Sequence, residues 1–193
     1  MPGRITLLSH GRTTARPSAF PDDEPLAADE AGHVAAFAGS LGRFDHVTSS
    51  PAEAARQTAA VLSEEVRADP RLADIDLGRW RGRTIAEIEA SDPGGLDAWL
   101  NDPDFAGHGG ESRAALRRRV ADWLAEVGAA DGHLLAVTHP AVIQSAMLAV
   151  LGAPAAAFRS IDVPPLCALD IRGDGRRWTI RSFGRAIPAL SAP

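Results

Sequence analysis

Two short apolar segments, far apart in the chain, each end in a histidine. The first, Ile5 to Leu8, runs into Ser9-His10-Gly11, and the second, Leu134 to Thr138, runs directly into His139. Short apolar runs bounded by turn residues are typical of buried strands, and the helix-start residue Pro140 follows the second run. Open α/β sheets present functional groups at the carboxyl ends of their strands. We therefore expect the two histidines to lie at one edge of a common sheet.

Composition and charge limit the kinds of protein that this chain can form. With 193 residues, of which 45% are apolar, it is long enough for one well-filled core and short for two. We expect a single domain over residues 1–185 and a loosely held tail over residues 186–193. The net charge of −5, with both signs interspersed, provides no basic stripe, so no nucleic-acid partner is predicted.

The apolar runs and the single cysteine predict where the protein works. The amino-terminal apolar run is too short for a signal-peptide core, and no run approaches the roughly 20 apolar residues of a membrane span. Cys167 cannot form an internal disulfide and lies in an apolar run, as a small core residue would. These features predict a cytoplasmic protein without a membrane partner. A homodimer is one assembly open to it.

The first half of the chain predicts two helices around a loop and a short strand. A proline- and acid-rich stretch over 14–25 has no periodicity and predicts a surface loop. Val34, Phe37 and Leu41 then form the apolar stripe of a helix. After a short strand, Ser50-Pro51 is placed to cap and start a second helix, whose amino terminus would attract an anion.

An acidic segment follows at the middle of the chain. Leu72 to Gly78 alternates apolar and acidic residues, which predicts a strand-like segment with Asp74 and Asp76 on one side. If both carboxylates line a pocket, their mutual repulsion would raise the pKa of one of them and make it a proton donor. Either residue is therefore a candidate acid.

The second half of the chain predicts a long helix and a hairpin. Glu111-Ser112 starts the helix, and its basic run Arg117-Arg118-Arg119 is most simply a solvated face. Residues 166–171 and 177–180 read as two strands joined by Gly173-Asp174-Gly175, a hairpin signal.

Five blocks of the sequence, taken in order, form a recognisable pattern. They are Ser9-His10-Gly11, Ser50 to Ala59, Asp74 before Gly78 to Gly82, Gly110-Glu111-Ser112, and Thr138-His139-Pro140. This order resembles the histidine phosphatase superfamily, also called the phosphoglycerate-mutase-like family. That family has Arg-His-Gly after its first strand, a Ser-Pro helix start, an acid before Gly-x-Trp-x-Gly, a Gly-Glu-Ser helix start and a second histidine after a late strand.

The resemblance implies both a fold and a chemistry. The fold would be a three-layer α/β/α sandwich with a mixed, mostly parallel central sheet. In the implied reaction on a small phosphomonoester, His10 attacks phosphorus to form a phosphohistidine, Asp74 protonates the leaving oxygen and His139 helps to hold the transferring group. Such a transfer depends on positioning and on compensation of negative charge, and it needs no metal or other cofactor.

Three positions depart from the family pattern. Ser9 and Ala54 stand where the family has arginines, and Pro140 has no N–H to donate. Arg12 is the main candidate to restore the lost positive charge, and Arg16 is a second. The predicted substrate-binding residues are Ser9, Gly11, Arg12, Thr13, Arg16, Arg56, Pro140 and Ala141, although Arg56 should point away unless its helix starts irregularly.

Three functions are compatible with these residues. The first is hydrolysis of a small phosphomonoester through His10. The second is a repurposed enzyme that uses His10, Asp74 and His139 for acid-base or nucleophilic chemistry on a less charged substrate. The third is a catalytically inactive binding module, which retention of all three residues disfavours. Binding of phosphate or vanadate that depends on His10 would favour the first.

Overall fold

The central element is a six-stranded sheet in which the two histidine-bearing strands are neighbours. A computed structural model describes residues 3–128 and 132–184, so the expected tail at 186–193 lies outside the described residues. The strand order is β3-β2-β4-β1-β5-β6. The strands are β1 (Arg4–Ser9), β2 (His46–Ser49), β3 (Arg67–Ala68), β4 (His133–Thr138), β5 (Ala168–Gly173) and β6 (Trp178–Gly184).

Parallel pairing places the ends of β1 and β4 side by side. Pairs β1–β4, β2–β4 and β2–β3 are parallel, whereas β1–β5 and β5–β6 are antiparallel. In this register Ser9 lies opposite Thr138, so His10 and His139 follow at the same edge. The mixed, mostly parallel sheet that the sequence predicted is confirmed.

Helices cover both faces of the sheet. They are α1 (Glu30–Leu41), α2 (Glu53–Leu62), α3 (Ile85–Ser91), α4 (Gly95–Asn101), α5 (Arg113–Val127) and α6 (Pro140–Leu151), with 3₁₀ turns at Pro70–Leu72, Gly78–Trp80 and Ala155–Ser160. In the described ranges, none of them is both long and apolar enough to cross a bilayer.

The burial of β1 explains its mostly apolar sequence. Ile5 and Leu7 pack with residues of α5 and α6, including Trp123 and Ile143. Leu8 points to the opposite face and packs with residues of α1 and α2. A strand buried on both faces has no position for an exposed polar residue, so its sequence is mostly apolar rather than alternating, and the buried Thr6 hydroxyl lies 2.8 Å from Nε2 of His133. This burial fixes the position of the strand end that carries His10.

Two predicted elements differ from the observed ones. The segment over 72–78 is not a strand, because the carbonyl groups of Ala73 and Asp74 accept hydrogen bonds from the Arg119 guanidinium and that of Asp76 accepts the Glu111 N–H, instead of bonds from a neighbouring strand. The helix predicted to start at Ser50-Pro51 begins at Glu53 with Ala52 as its cap residue. Ser50 lies two residues before this cap residue; its hydroxyl accepts the Ala52 N–H at 3.2 Å and also contacts His139.

Candidate active site

The two strand-terminal imidazoles are packed against each other. The ring centroids of His10 and His139 are 5.0 Å apart, with the ring planes at 72°. The main-chain N–H of His10 donates to the carbonyl of Thr138 at 2.9 Å, which ties the first strand end to the residue before the second histidine. The parallel register of β1 and β4 therefore brings these side chains together, as the sequence analysis expected.

The hydrogen bond of His10 defines which ring nitrogen is basic. Its Nδ1 lies 2.8 Å from the carbonyl oxygen of Gly11. Because a carbonyl can only accept, Nδ1 carries the proton and Nε2 keeps its lone pair. Burial lowers the pKa of His10 from its usual 6.5, and the nearby His139 lowers it further. His10 is thus a neutral imidazole near pH 7, as a nucleophile must be.

His139 is almost fully enclosed. Its side chain is 7% exposed, and its Nε2 lies 2.8 Å from the hydroxyl oxygen of Ser50. Burial lowers the pKa of His139 to about 4, against which the charge of Asp23 acts in the opposite direction. The ring therefore carries no charge at neutral pH. Its contact with Ser50 was not anticipated, because Ser-Pro before a helix reads as a simple cap.

Asp74 is the carboxylic acid at this pair of rings. Its Oδ2 lies 3.6 Å from Nδ1 of His139, and its side chain keeps 23% of its surface exposed. Burial raises the pKa of Asp74 above its ordinary value, which favours the protonated form that a general acid requires. Asp76 is placed differently, because its Oδ1 accepts the Gly78 N–H at 3.0 Å. Of these two carboxylates, Asp74 is the one that contacts a catalytic ring.

An ion pair between Glu111, just before α5, and Arg119 of α5 holds the backbone that carries Asp74. Arg119 pairs with both carboxylate oxygens of Glu111, at 3.0 and 2.6 Å. The same guanidinium donates to the carbonyl oxygens of Arg71, Ala73 and Asp74, at 2.7, 3.0 and 3.2 Å. The predicted solvated face is therefore wrong for Arg119, whose side chain is only 23% exposed. A basic triplet on a helix did not reveal which arginine turns inward.

Ser9 and Gly11, two of the predicted substrate-binding residues, form bonds within the protein. The Ser9 hydroxyl donates to the carbonyl of Pro164 at 2.7 Å and accepts the Cys167 N–H at 3.0 Å, in a fully buried position. The Gly11 N–H donates to the hydroxyl of Thr58 at 3.1 Å. A Cβ at Gly11 would lie 2.5 Å from Glu30, so this position accommodates only glycine. Both residues build the corner that orients His10.

The three predicted cations are engaged with acids or carbonyls. Arg12 donates to Glu30 at 2.8 Å and to Asp29 at 2.9 Å, and the Glu30 side chain is only 2% exposed. A buried carboxylate without a partner is costly, so Arg12 is committed to this pair. Arg16 donates to the Gly82 carbonyl and to Glu87, both at 3.3 Å. Arg56 pairs with Glu53 on its own helix.

The remaining predicted contacts lie at the loop and at the start of α6. Thr13 forms an antiparallel bridge with Leu26, and its hydroxyl accepts the Ala15 N–H at 3.3 Å. Pro140 is the first residue of α6, and Ala141 the second. The first N–H groups of a helix have no intrahelical acceptor, so the Ala141 N–H is available in principle to an anion beside His139.

Asp23 was missed by the sequence analysis. Its Oδ1 accepts the N–H of Glu53, the first residue of α2, at 2.6 Å. A carboxylate of the chain thus takes the position at this helix start where the sequence predicted a bound anion. The acid-rich composition of the loop was the only signal, and it did not indicate which acid contacts the helix.

The described ranges contain no cluster of three or more His, Cys, Asp or Glu side chains arranged to hold a metal ion. The arrangement instead combines a neutral nucleophilic imidazole, a second buried imidazole and a carboxyl group that favours its protonated form. Such a set can carry out a covalent transfer in which the acid protonates the leaving group.

Comparisons with known proteins agree with this geometry. The model of the Histidine phosphatase superfamily (branch 1) matches residues 5–185. Glucosyl-3-phosphoglycerate phosphatase of Mycobacterium tuberculosis is 33% identical over 172 residues, which cover 79% of this chain and 77% of that protein. Phosphoserine phosphatase 1 of Hydrogenobacter thermophilus is 29% identical over 130 residues, covering 63% and 61% of the two chains. A solved mycobacterial glucosyl-3-phosphoglycerate phosphatase in complex with VO3 superposes with a TM-score of 0.82 at 29% identity, covering 94% of this chain and 98% of that one.

Proposed function

Because the chain belongs to the histidine phosphatase superfamily, we propose that it hydrolyses a small phosphomonoester through a phosphohistidine on His10. The observation that carries this proposal is the packing of His10 against His139, 5.0 Å apart, with Asp74 beside the pair. The relatives named above are phosphatases of glucosyl-3-phosphoglycerate and phosphoserine, which are both small phosphoesters.

In the first step, Nε2 of His10 attacks phosphorus while the bond between phosphorus and the ester oxygen breaks. Gly11 supports this step by holding the proton on Nδ1, which leaves the lone pair on Nε2. Asp74 gives its proton to the departing oxygen, so the alcohol leaves neutral. The raised pKa of Asp74 supports this role, because the acid must be protonated before transfer.

In the second step, water attacks the phosphohistidine and the bond between phosphorus and Nε2 breaks. Asp74, now a carboxylate, accepts the proton of the attacking water. Inorganic phosphate leaves and the site returns to its starting protonation state. Both steps need donors for the oxygens of the transferring group, and the supporting candidates are His139, the Ser50 hydroxyl and the Ala141 N–H at the start of α6.

The two alternatives to a phosphatase find less support. A repurposed enzyme and an inactive binding module were both suggested by the replacement of family arginines at Ser9 and Ala54. The relatives named above are phosphatases, and the three predicted catalytic side chains lie together.

The burial of Cys167 also supports the proposal that the protein works in a reducing, cytoplasmic compartment, which fractionation of the producing cells would test.

Steady-state hydrolysis of p-nitrophenyl phosphate, together with vanadate binding by calorimetry, tests the proposed activity. We expect turnover and vanadate binding in the wild type, and His10→Ala should lower kcat by about 10³-fold or more. His46→Ala is the matched control, because His46 is exposed at the start of β2. Turnover that survives in His10→Ala, or a folded wild type that neither turns over nor binds vanadate, would refute the proposal.

A further inference from the structure

The ring of His139 meets a different polar group at each of its two nitrogens. Its Nε2 lies 2.8 Å from the hydroxyl oxygen of Ser50, and its Nδ1 lies 3.6 Å from Oδ2 of Asp74. Burial lowers the pKa of His139 to about 4, so at neutral pH the ring has one N–H and one lone pair. The nitrogen that carries this single proton decides whether the ring donates to Ser50 or toward Asp74.

The surroundings of Ser50 decide between these two tautomers. Ser50 is fully buried, with 0% of its surface exposed. Its hydroxyl oxygen accepts the Ala52 N–H at 3.2 Å, and within residues 3–128 and 132–184 the one other group in hydrogen-bond contact with it is Nε2 of His139. A buried hydroxyl hydrogen without an acceptor is costly, and the Nε2 lone pair is the acceptor within reach. The Ser50 hydroxyl therefore donates to Nε2.

The proton of His139 consequently lies on Nδ1, on the side of the ring that faces Asp74. The 3.6 Å from Nδ1 to Oδ2 is longer than a hydrogen bond, and no other acceptor in the described part of the chain bonds to Nδ1. This N–H is thus available to an oxygen of a bound substrate. In the opposite tautomer the Nδ1 lone pair would repel such an oxygen, and it could also retain the proton that Asp74 has to give.

Hydrogen-bond donors at this edge of the sheet are mostly engaged within the protein, so the tautomer of His139 matters for catalysis. The Ser9 hydroxyl donates to a main-chain carbonyl, and Arg12 is paired with two carboxylates. The Ser50 hydroxyl is committed to His139, which removes it from the candidate donors for the transferring group. The N–H of His139 then joins that of Ala141 as a donor for the charge that develops on the phosphoryl oxygens.

We infer that Ser50 is a positioning residue for the phosphatase reaction: it holds His139 in the Nδ1–H tautomer, so that the second imidazole donates a hydrogen bond to the transferring phosphoryl group. The effect on the reaction rests on the proposed function, whereas the tautomer is a property of the protein without substrate. Ser50 does not touch the substrate itself, because it is fully buried. Its influence on the reaction passes through His139.

The tautomer can be measured at the ring nitrogens. A two-bond 1H–15N NMR spectrum of the labelled wild type, at about pH 8 where exposed histidines are also neutral, separates protonated from unprotonated ring nitrogens. The signals lost in His139→Ala identify its ring. We expect Nδ1 of His139 to be protonated and Nε2 unprotonated, whereas the exposed His46 should show the preference of a solvated imidazole for a proton on Nε2. A proton on Nε2 of His139, or a mixture of both forms, would overturn the inference.

Variants of Ser50 test whether the tautomer matters for the reaction. In Ser50→Ala no hydroxyl holds the lone pair on Nε2, so part of the population should carry the His139 proton on Nε2. The kcat for p-nitrophenyl phosphate should then fall by about tenfold or more, with a much smaller change in KM. Ser50→Thr keeps a hydroxyl and should restore both the Nδ1–H form and kcat. A folded Ser50→Ala with unchanged kcat, or one that loses kcat while His139 keeps the Nδ1–H form, would overturn the role of Ser50.

Thr84→Ala is the matched control for these variants. Like Ser50, Thr84 has a hydroxyl that accepts an N–H at a helix start, that of Glu87 at 3.2 Å. In the described ranges this hydroxyl forms no bond with a catalytic histidine. Thr84→Ala should therefore keep kcat within about twofold and leave the tautomer of His139 unchanged.

The failure of the inference can be told apart from that of the proposed function. If the wild type hydrolyses p-nitrophenyl phosphate with the His139 proton on Nε2, the phosphatase assignment stands and the role of Ser50 is wrong. If the folded wild type neither hydrolyses this ester nor binds vanadate, the proposed function fails, and the role of Ser50 in it fails as well. The wild-type spectrum needs no variant of Ser50, so a Ser50 variant that does not fold leaves the test intact.

Discussion

The site depends on imidazoles that stay neutral because they are buried. Removing His10 and His139 from water penalises their protonated forms, and His139 lowers the pKa of His10 further. The same burial acts in the opposite direction on Asp74 and favours its protonated form. The free lone pair on Nε2 of His10 and the protonated carboxyl group of Asp74 therefore both follow from low solvation at one edge of the sheet.

The titration of His10 follows from this environment. We expect an NMR titration of its ring Cε1–H to show a midpoint below the ordinary value of 6.5. Since the neutral form is the nucleophile, activity should be lost as pH falls through that midpoint, and for alkyl phosphates it should be lost again as pH rises through the pKa of Asp74, whose proton the leaving group needs. In His139→Ala the midpoint should rise toward 6.5, because the second ring and its contribution to burial are gone. A wild-type midpoint at or above 6.5 would contradict this account.

The role of Asp74 is separable from binding by the choice of leaving group. Asp74→Asn should lower kcat by about 10² to 10⁴-fold for alkyl phosphates, because an alkoxide needs a proton to leave. The loss for p-nitrophenyl phosphate should be much smaller, since nitrophenolate leaves without one. Asp76→Asn is the control and should retain activity within about twofold, because asparagine can still accept the Gly78 N–H. Equal losses for both ester classes in Asp74→Asn would argue against acid catalysis.

At the scale of elements, the irregular segment with Asp74 depends on α5 for its shape. Arg119 binds the carbonyl oxygens of Ala73 and Asp74 in this segment and that of Arg71 just before it, and its charge is balanced by Glu111. The segment also passes very close to Gly110, where a Cβ would lie 2.1 Å from the carbonyl oxygen of Asp76. A segment without strand partners thus obtains its rigidity from a side chain of a neighbouring helix and from a glycine contact.

Arg119→Met should therefore lower both the stability of the protein and the rate of acid catalysis by Asp74. We expect the free energy of unfolding in urea to fall by about 2–4 kcal/mol, because Glu111 loses its partner and three carbonyl groups lose a donor. The kcat for alkyl phosphates should fall more than that for p-nitrophenyl phosphate, because Asp74 is displaced. Arg118→Met, at an exposed position of the same helix, should change stability by less than about 0.5 kcal/mol. Similar stability of the two variants would contradict the role of Arg119.

At the scale of the whole molecule, the net charge of −5 opposes an anionic substrate. Raising sodium chloride from about 10 to about 150 mM shortens the Debye length from about 30 to about 8 Å. We expect kcat/KM for propyl phosphate to rise a few-fold over this range, because the repulsion is screened. O-phosphoethanolamine, whose charges partly cancel, should respond less. A decrease of kcat/KM with salt for propyl phosphate would indicate a basic site and contradict this account.

The sequence predicted the fold and the meeting of the histidines, because both follow from short-range patterns and from the geometry of parallel strands. It did not predict the partner of Arg12, since the buried carboxylate of Glu30 lies 18 residues away and nothing in the pattern marks it as buried. It also misread Arg119 as solvated and 72–78 as a strand. The last two errors have one cause. The Arg119 side chain bonds to main-chain carbonyl groups about 45 residues away in the sequence, and a local sequence pattern does not predict such a long-range contact.

The most direct test of the account is to look for the covalent intermediate itself. The wild type would be mixed rapidly with radiolabelled substrate, quenched in alkali, which preserves phosphohistidine, and digested for peptide mapping. The account predicts one acid-labile phosphoryl group on the peptide that contains His10, formed within a turnover and absent from His10→Ala. Substrate turnover without any labelled peptide, or the same label in His10→Ala, would contradict it.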